Sequence, residues 1–159
     1  GIESVRQSFD QNPNFQLVVF GEKIKDPSSL LQNAGFDFEY FYRPTGNAIR
    51  DLFFNCDIYL CPSWYEGLGM PAMEAMASRC ALVTTDTGGS RNYAIHDKTA
   101  LVSKPKDPKA LSKNLSDSIG NLELRKKLSA NGFNKIKEFN WDANCRQLME
   151  VFEKSPKNK

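Results

Sequence analysis

The sequence predicts an α/β domain built on a doubly wound, mostly parallel sheet. Two observations favour this class. Short apolar runs of strand length recur along the chain, and segments with helix-start signals separate them. Continuous apolar strands that alternate with helices are typical of a parallel sheet covered on both faces. The 159 residues suffice for one such domain, so we expect residues 1–159 to fold as a single unit.

Five apolar runs are expected to form the strands. In chain order they are Phe15 to Phe20, Phe36 to Tyr42, Ile58 to Cys61, Ala81 to Thr85 and Ala100 to Val102. The third and fourth runs are almost entirely apolar, as expected of strands that are buried on both faces. The second mixes aromatic and acidic residues, which indicates a strand with one face less buried.

Capping residues mark the expected helices. Proline fits the first helical turn, so the Asp-Pro pairs predict helices from Asp26 to about Asn33 and from Asp107 to about Ile119. Thr45 is expected to cap a helix that runs to about Asn55. The remaining expected helices are Ile2 to Asp10, Met70 to Ser78, Leu122 to Phe139 and Trp141 to Phe152. Because a doubly wound domain usually begins with a strand, the helical start predicts a piece excised from a longer protein.

Charge and hydropathy exclude several classes of function. The net charge of +2 is too small to indicate a nucleic-acid partner. No apolar run approaches the roughly 20 residues of a membrane-spanning helix, and the first ten residues lack the apolar core of a signal peptide. We therefore expect a cytoplasmic protein. Peripheral contact with the inner face of the membrane stays open, because a few short lysine groups could meet anionic lipid.

The cysteines do not indicate a metal site. The four cysteines form no C-x-x-C pair, and the single histidine, His96, is distant from them in sequence. Cys61 and Cys80 lie inside apolar runs and are expected to be buried, reduced thiols. Ser63 has no histidine or aspartate at a diagnostic spacing, so a nucleophilic triad is not supported.

The segment from Pro62 to Ala77, PSWYEGLGMPAMEAMA, carries most of the chemical information. It follows a predicted strand, and open α/β sheets bind ligands at the carboxyl ends of their strands. Gly67 and Gly69 allow the backbone to approach a ligand closely. The helix that begins near Met70 offers free N–H groups and a positive dipole end to a phosphate.

Two glutamates flank this helix start. Glu66 precedes it in the loop, and Glu74 lies about one turn inside the helix. Carboxylates accept hydrogen bonds from hydroxyl pairs, so amides between two carboxylates would suit a nucleotide-sugar. A glycine-rich turn with glutamates that only favour the helix dipole is the structural alternative.

The segment resembles the E-x7-E signature of retaining glycosyltransferases of the GT-B fold, the large family four or group 1 glycosyl transferases. Glu66 and Glu74 match its two glutamates. Flanking steps occur in the family's order, namely Gly21 after the first strand, the N-C-D-I step at 55–58, TTDTGG at 84–89, the strand at 99–102 and F-x-W at 139–141. The resemblance implies a Rossmann-like domain, the C-terminal, donor-binding half of a GT-B enzyme.

The resemblance also implies roles for individual residues. Glu66 would be the catalytic carboxylate and would contact the transferred sugar, whereas Glu74 would bind the ribose hydroxyls. The donor-binding set would be Gly21, Ser63, Glu66, Gly67, Leu68, Gly69, Met70 and Glu74. The residues along the base would be Tyr42, Arg43 and Pro44. Such enzymes generally need no metal or cofactor, so none is expected here.

The implied partners are a nucleoside-diphosphate sugar and a glycan or lipid-linked acceptor, as in polysaccharide biosynthesis. The acceptor would bind through an N-terminal domain absent from this chain, so the chain alone is expected to be inactive. Two alternatives stay open: a non-catalytic nucleotide-sugar or partner-binding module, and another GT-B-like enzyme such as a nucleotide-sugar epimerase. Arg79 stands where the family usually has glycine, so a left-handed turn there is either less expected or costs some stability.

Overall fold

The computed structural model describes residues 2–11, 15–22 and 36–154. The strands are β1 Leu17–Gly21, β2 Phe38–Tyr42, β3 Ile58–Cys61, β4 Ala81–Thr85 and β5 Ala100–Ser103. The α-helices are α1 Ile2–Gln11, α2 Asn47–Phe54, α3 Met70–Ala77, α4 Pro108–Gly120, α5 Leu122–Ile136 and α6 Trp141–Lys154, and Gly89–Asn92 forms a 3-10 turn. The helix expected from Asp26 to Asn33 lies outside the described residues. None of the helices in the described ranges combines the length and apolarity needed to cross a bilayer.

The five strands within the described ranges form two hydrogen-bonded ladders, and the paired strands of each ladder run parallel. β1 pairs with β2, and β4 lies between β3 and β5. Side chains connect the two ladders, because the Phe20 ring of β1 stacks 6.3 Å from the Tyr59 ring of β3. The parallel α/β class is thus confirmed, although the described strands form two ladders instead of one continuous sheet.

Helices cover both faces of β4, the most deeply buried strand. Side chains alternate between faces along a strand, and Val83 contributes to a cluster with α1, α4 and α5, whereas Leu82 packs with α3 on the other face. Both side chains are fully buried. Full burial of such a side chain stabilises the fold by about 1.5–3 kcal/mol. This packing holds the carboxyl end of β4 in a fixed position beside that of β3.

The helix starts were predicted with mixed success. Asp107 caps α4 as expected, since its carboxylate accepts from the Ala110 N–H at 3.0 Å. Gly46 takes the cap position of α2 in place of Thr45, with φ at +55°. Thr45 supplies its backbone carbonyl to the Ala48 N–H. The expectation of a threonine cap is therefore wrong by one residue, because glycine adopts the left-handed backbone of this turn without strain.

Arg79 occupies a left-handed turn after α3, with φ at +68°. Of the two alternatives expected from its side chain, the structure shows the turn that carries backbone strain. The Arg79 N–H donates to the Met76 carbonyl at 3.1 Å, and the Cys80 N–H donates to the Ala75 carbonyl at 2.9 Å. This is the hydrogen-bond pattern of a Schellman motif. The Arg79 guanidinium lies 4.0 Å from the centre of the Phe133 ring, and this contact offsets part of the backbone strain.

Replacing Arg79 by valine should lower the free energy of unfolding by about 2 kcal/mol, because a β-branched residue is strained at positive φ and the ring contact is lost. Arg79→Gly should stay within about 1 kcal/mol of the wild type, since it relieves the strain that the lost contact had offset. Urea denaturation measures both values. Similar losses for the two variants would contradict the left-handed turn.

Candidate functional site

Two loops meet at the carboxyl edge of the β3–β4 ladder. The motif loop, residues 62–69, connects β3 to α3, and the Gly-Gly turn, residues 86–92, follows β4. The Glu66 N–H donates to the Thr87 carbonyl at 3.3 Å, and Glu66 forms an isolated parallel bridge with Gly88. Because β3 and β4 are parallel neighbours, they deliver these two loops to the same place.

The Glu66 carboxylate is half-buried and held by a neighbouring hydroxyl. Ser63 Oγ donates to Glu66 Oε1 at 2.8 Å. The Ser63 carbonyl in turn accepts from the Thr85 hydroxyl at the end of β4. The structure therefore brings the predicted residues Ser63 and Glu66 together and ties both to the buried strand.

Glu74 lies in the second turn of α3 and is exposed, while its neighbour Ala75 is buried. Neither a hydrogen bond nor an ion pair joins its carboxylate to the described part of the chain. Burial raises the pKa of the Tyr59 hydroxyl, and negative charge at Cys61, Glu66 and Glu74 raises it further. Both glutamates of the motif therefore lie within electrostatic range of the half-buried Tyr59 hydroxyl.

Four consecutive backbone N–H groups without a partner in the described chain lie between the two glutamates. Those of Gly67, Leu68, Gly69 and Met70 meet no acceptor within the residues that the structure describes. Gly69 caps α3 in the left-handed region, with φ at +78°. The first N–H groups of a helix have no partner inside it and carry partial positive charge. The loop thus presents a run of donors that can bind an anion.

A close backbone contact explains one of the glycines in the Gly-Gly turn. A Cβ atom on Gly89 would overlap the carbonyl of Gly67, whereas a Cβ on Gly67 would meet no atom within 4 Å. Gly89 is therefore required by packing between the two loops. Gly67 borders open space, so the fold itself leaves room for a side chain there.

Sequence reasoning missed an ion pair inside the Gly-Gly turn. The Asp86 carboxylate accepts from Arg91 at 2.8 Å and 2.9 Å, and also from the Gly88 N–H at 3.2 Å. Hydrogen bonds from the Arg91 guanidinium lower the pKa of Asp86. The pair closes the turn that supports the motif loop. An acidic and a basic residue five positions apart outside a helix do not by themselves predict an ion pair.

Tyr93 was also missed. Its side chain is buried, and its hydroxyl donates to the Leu68 carbonyl at 2.9 Å across 25 residues of sequence. Burial raises the pKa of Tyr93 to about 12, so the hydroxyl keeps its proton near neutral pH. The sequence offered no local pattern that would connect this tyrosine to the motif loop.

The residues predicted to lie along the base form a second group, at the carboxyl ends of β1 and β2. Gly21 is paired with Tyr42, and the Arg43 N–H donates to the Gly21 carbonyl at 2.8 Å. Arg43 also forms an ion pair with Glu22 at 3.2 Å. Tyr42 is exposed and Pro44 is half-buried. The structure brings these residues together but shows no hydrogen bond between them and the motif loop over the described ranges.

The cysteines are free thiols and differ in burial. Cys80 is buried as expected, and burial raises its pKa to about 12, which keeps the thiol protonated. Cys61 is half-buried. Among the described residues, no group of three or more His, Cys, Asp or Glu side chains could hold a metal ion.

Gly89→Ala should lower the free energy of unfolding by about 1–3 kcal/mol, since the added methyl group must displace the Gly67 backbone. Gly67→Ala is the matched control and should unfold within about 0.5 kcal/mol of the wild type, as expected of a surface change without a new contact. Thermal or urea denaturation of both variants makes the comparison. A Gly89→Ala variant as stable as the control would show that the two loops are not in contact.

Known proteins share both the sequence and the fold. The family described as Glycosyl transferases group 1 matches residues 1–135. An uncharacterized glycosyltransferase of Methanocaldococcus jannaschii is 28% identical over 141 residues, which cover 88% of this chain and 40% of that protein. The N,N'-diacetylbacillosaminyl-diphospho-undecaprenol alpha-1,3-N-acetylgalactosaminyltransferase of Campylobacter jejuni is 27% identical, and the match covers 91% of this chain and 38% of that one.

A solved structure agrees with these sequence matches. The C-terminal domain of a glycosyl transferase group 1 family protein (LpcC) from Francisella tularensis is similar with a TM-score of 0.76 and 28% identity, over 86% of this chain and 75% of that one. The chain spans about two fifths of the length of the curated relatives named above. The family match over residues 1–135, together with the similar fold of the Francisella tularensis domain, shows that this chain belongs to the group 1 glycosyl transferases.

Proposed function

We propose that the chain binds a nucleoside-diphosphate sugar and serves as the donor-binding half of a longer, retaining glycosyltransferase. The observation that carries this proposal is the run of four unpaired amides, Gly67 to Met70, between the carboxylates of Glu66 and Glu74. A nucleotide-sugar has the matching order of groups, with a diphosphate between two sets of hydroxyls. No other part of the described chain combines these features.

The amides would bind the diphosphate. Backbone N–H groups at a helix start offer both hydrogen bonds and the positive end of the helix dipole. Glu74 is exposed on the same helix, so its carboxylate is available to accept from the two ribose hydroxyls. Hydrogen bonds to a charged group contribute about 1.5–3 kcal/mol. The base would lie along Tyr42, Arg43 and Pro44, beside Gly21.

Glu66 would act at the transferred sugar. Ser63 holds one of its carboxylate oxygens, which leaves the other oxygen to accept from a sugar hydroxyl. During transfer, the acceptor oxygen would bond to the anomeric carbon as the bond to the diphosphate breaks, and a phosphate oxygen would take the acceptor's proton. The chain would then contribute positioning and electrostatic stabilisation of the departing diphosphate.

The acceptor is proposed to be a glycan or a lipid-linked sugar, bound by a part of the enzyme outside this chain. The Campylobacter jejuni relative is named for transfer to a diphospho-undecaprenol acceptor, and this name supports the lipid-linked class. Such an acceptor would bring the longer enzyme to the cytoplasmic face of a membrane.

Calorimetric titration of the chain with UDP, GDP, dTDP, ADP and NAD should detect binding of one nucleoside diphosphate. Glu74→Ala should weaken that binding about 10- to 100-fold, which corresponds to the roughly 1.4–2.8 kcal/mol of lost charge-assisted hydrogen bonds. Glu123→Ala, which removes an exposed glutamate on α5, should leave the affinity unchanged. Equal affinity of wild type and Glu74→Ala would contradict the ribose role.

In the longer enzyme, Glu66→Gln should abolish sugar transfer while the affinity for free nucleoside diphosphate stays within about threefold, because the carboxylate contacts the sugar. Glutamine preserves the acceptor oxygen for Ser63 and removes the charge. Product formation and nucleotide binding are measured on the same preparation. Equal loss of both would show that the role is misassigned, and full activity would exclude a catalytic Glu66.

A further inference from the structure

We infer that Tyr93 is a positioning residue for donor binding, because its buried hydroxyl fixes the Leu68–Gly69 peptide and so sets the direction of the amides at the start of α3. The inference rests on the proposed function, since the amides concerned are those assigned to the diphosphate. Tyr93 itself does not belong to the E-x7-E segment and follows the Gly-Gly turn in sequence.

The phenol connects the core to an exposed loop. Only 1% of the Tyr93 surface is exposed, and its ring packs edge-on against Phe139 with centroids 6.4 Å apart. Its hydroxyl lies 2.9 Å from the Leu68 carbonyl and 3.4 Å from the Gly69 carbonyl. Leu68 is exposed, so this hydrogen bond joins a loop at the surface to a side chain that cannot move freely.

The backbone of Tyr93 is fixed as well. Its N–H donates to the Ser90 carbonyl at 3.1 Å, and its carbonyl accepts from the Thr99 hydroxyl at 2.6 Å. Thr99 is itself buried and precedes β5. Both ends of the residue are therefore attached to the sheet and its turn, and the hydroxyl has a defined position before any ligand binds.

The position of the hydroxyl depends on a glycine in the loop. A Cβ on Gly69 would lie 2.6 Å from Tyr93 Oη, which is too close for a real contact. Gly69 therefore admits the hydroxyl and also supplies the left-handed backbone that starts α3. The Gly69 carbonyl accepts the first helical hydrogen bonds, from Ala72 and Met73. Tyr93 therefore contacts the chain where the motif loop ends and α3 begins, next to the amides of Gly67 to Met70.

The diphosphate is bound in the ground state and gains negative charge as it departs, so amides that point at it act in both states and more strongly in the transition state. Loss of a residue that orients them should therefore raise the donor KM and also lower kcat. A residue with a role in folding alone would lower the stability of the chain and would change neither the nucleotide affinity nor the order of the loop.

The test is Tyr93→Phe, which keeps the ring and removes the hydroxyl. Ser112→Ala is the matched control, because it removes another buried hydroxyl, in α4 beside Ser8. We expect Tyr93→Phe to weaken nucleoside-diphosphate binding about 3- to 10-fold, to raise the donor KM of the longer enzyme by a similar factor and to lower its kcat. Backbone 15N order parameters of Gly67 to Met70 should fall in the ligand-free chain. Ser112→Ala should change none of these.

The other outcomes contradict either the positioning role of Tyr93 or the proposed donor-binding function. Unchanged affinity for Tyr93→Phe overturns the positioning role, whatever the order parameters show. An equal loss of affinity in Ser112→Ala overturns it too, because the effect would then follow stability. If the wild-type chain and the longer enzyme bind no nucleoside diphosphate, the proposed function fails, and the order parameters alone then decide whether Tyr93 orients the loop.

Discussion

The rest of the site depends on the backbone contact between the motif loop and the Gly-Gly turn. Parallel pairing of β3 with β4 brings the two loops to one edge, and the missing side chain of Gly89 lets the turn reach the Gly67 carbonyl. This contact holds Glu66 through its main chain. The hydroxyls of Ser63 and Tyr93 can then act on a loop whose course is already set.

The strands and the helix caps were predictable where a local pattern coincides with the physical cause. Ile58–Cys61 and Ala81–Thr85 were predicted with the observed bounds, because each is a continuous, mostly apolar run. Ala81–Thr85 is buried throughout, whereas the residues of Ile58–Cys61 are half-buried. The Asp107 cap was predictable because it acts within one helical turn. The choice between the two alternatives at Arg79 could not be made from the sequence, since the Phe133 ring that supports its left-handed backbone comes from another helix.

In the candidate site, too, the features with a local cause were predictable and those that depend on distant residues were not. Glu66 and Glu74 belong to one contiguous segment, so their spacing was visible in the sequence, and so was the helix start between them. Tyr93 contacts the motif loop across 25 residues of sequence, and the Gly-Gly turn contacts it across about 20. These contacts depend on the order of the strands in the sheet, which no local sequence pattern specifies. The roles of the base-side residues Tyr42, Arg43 and Pro44 stay predictions.

The motif loop is attached to the domain almost entirely through backbone atoms. The Thr87, Gly67 and Leu68 carbonyls take part in its contacts, whereas the Tyr65 side chain is largely exposed. The Trp64 ring is the exception, since the Lys106 ammonium lies 4.7 Å from its centre. The identity of the Tyr65 side chain is therefore separate from the integrity of the scaffold. This side chain can be exchanged without loosening the frame that presents Glu66, so the surface chemistry of the loop can vary while its backbone course persists.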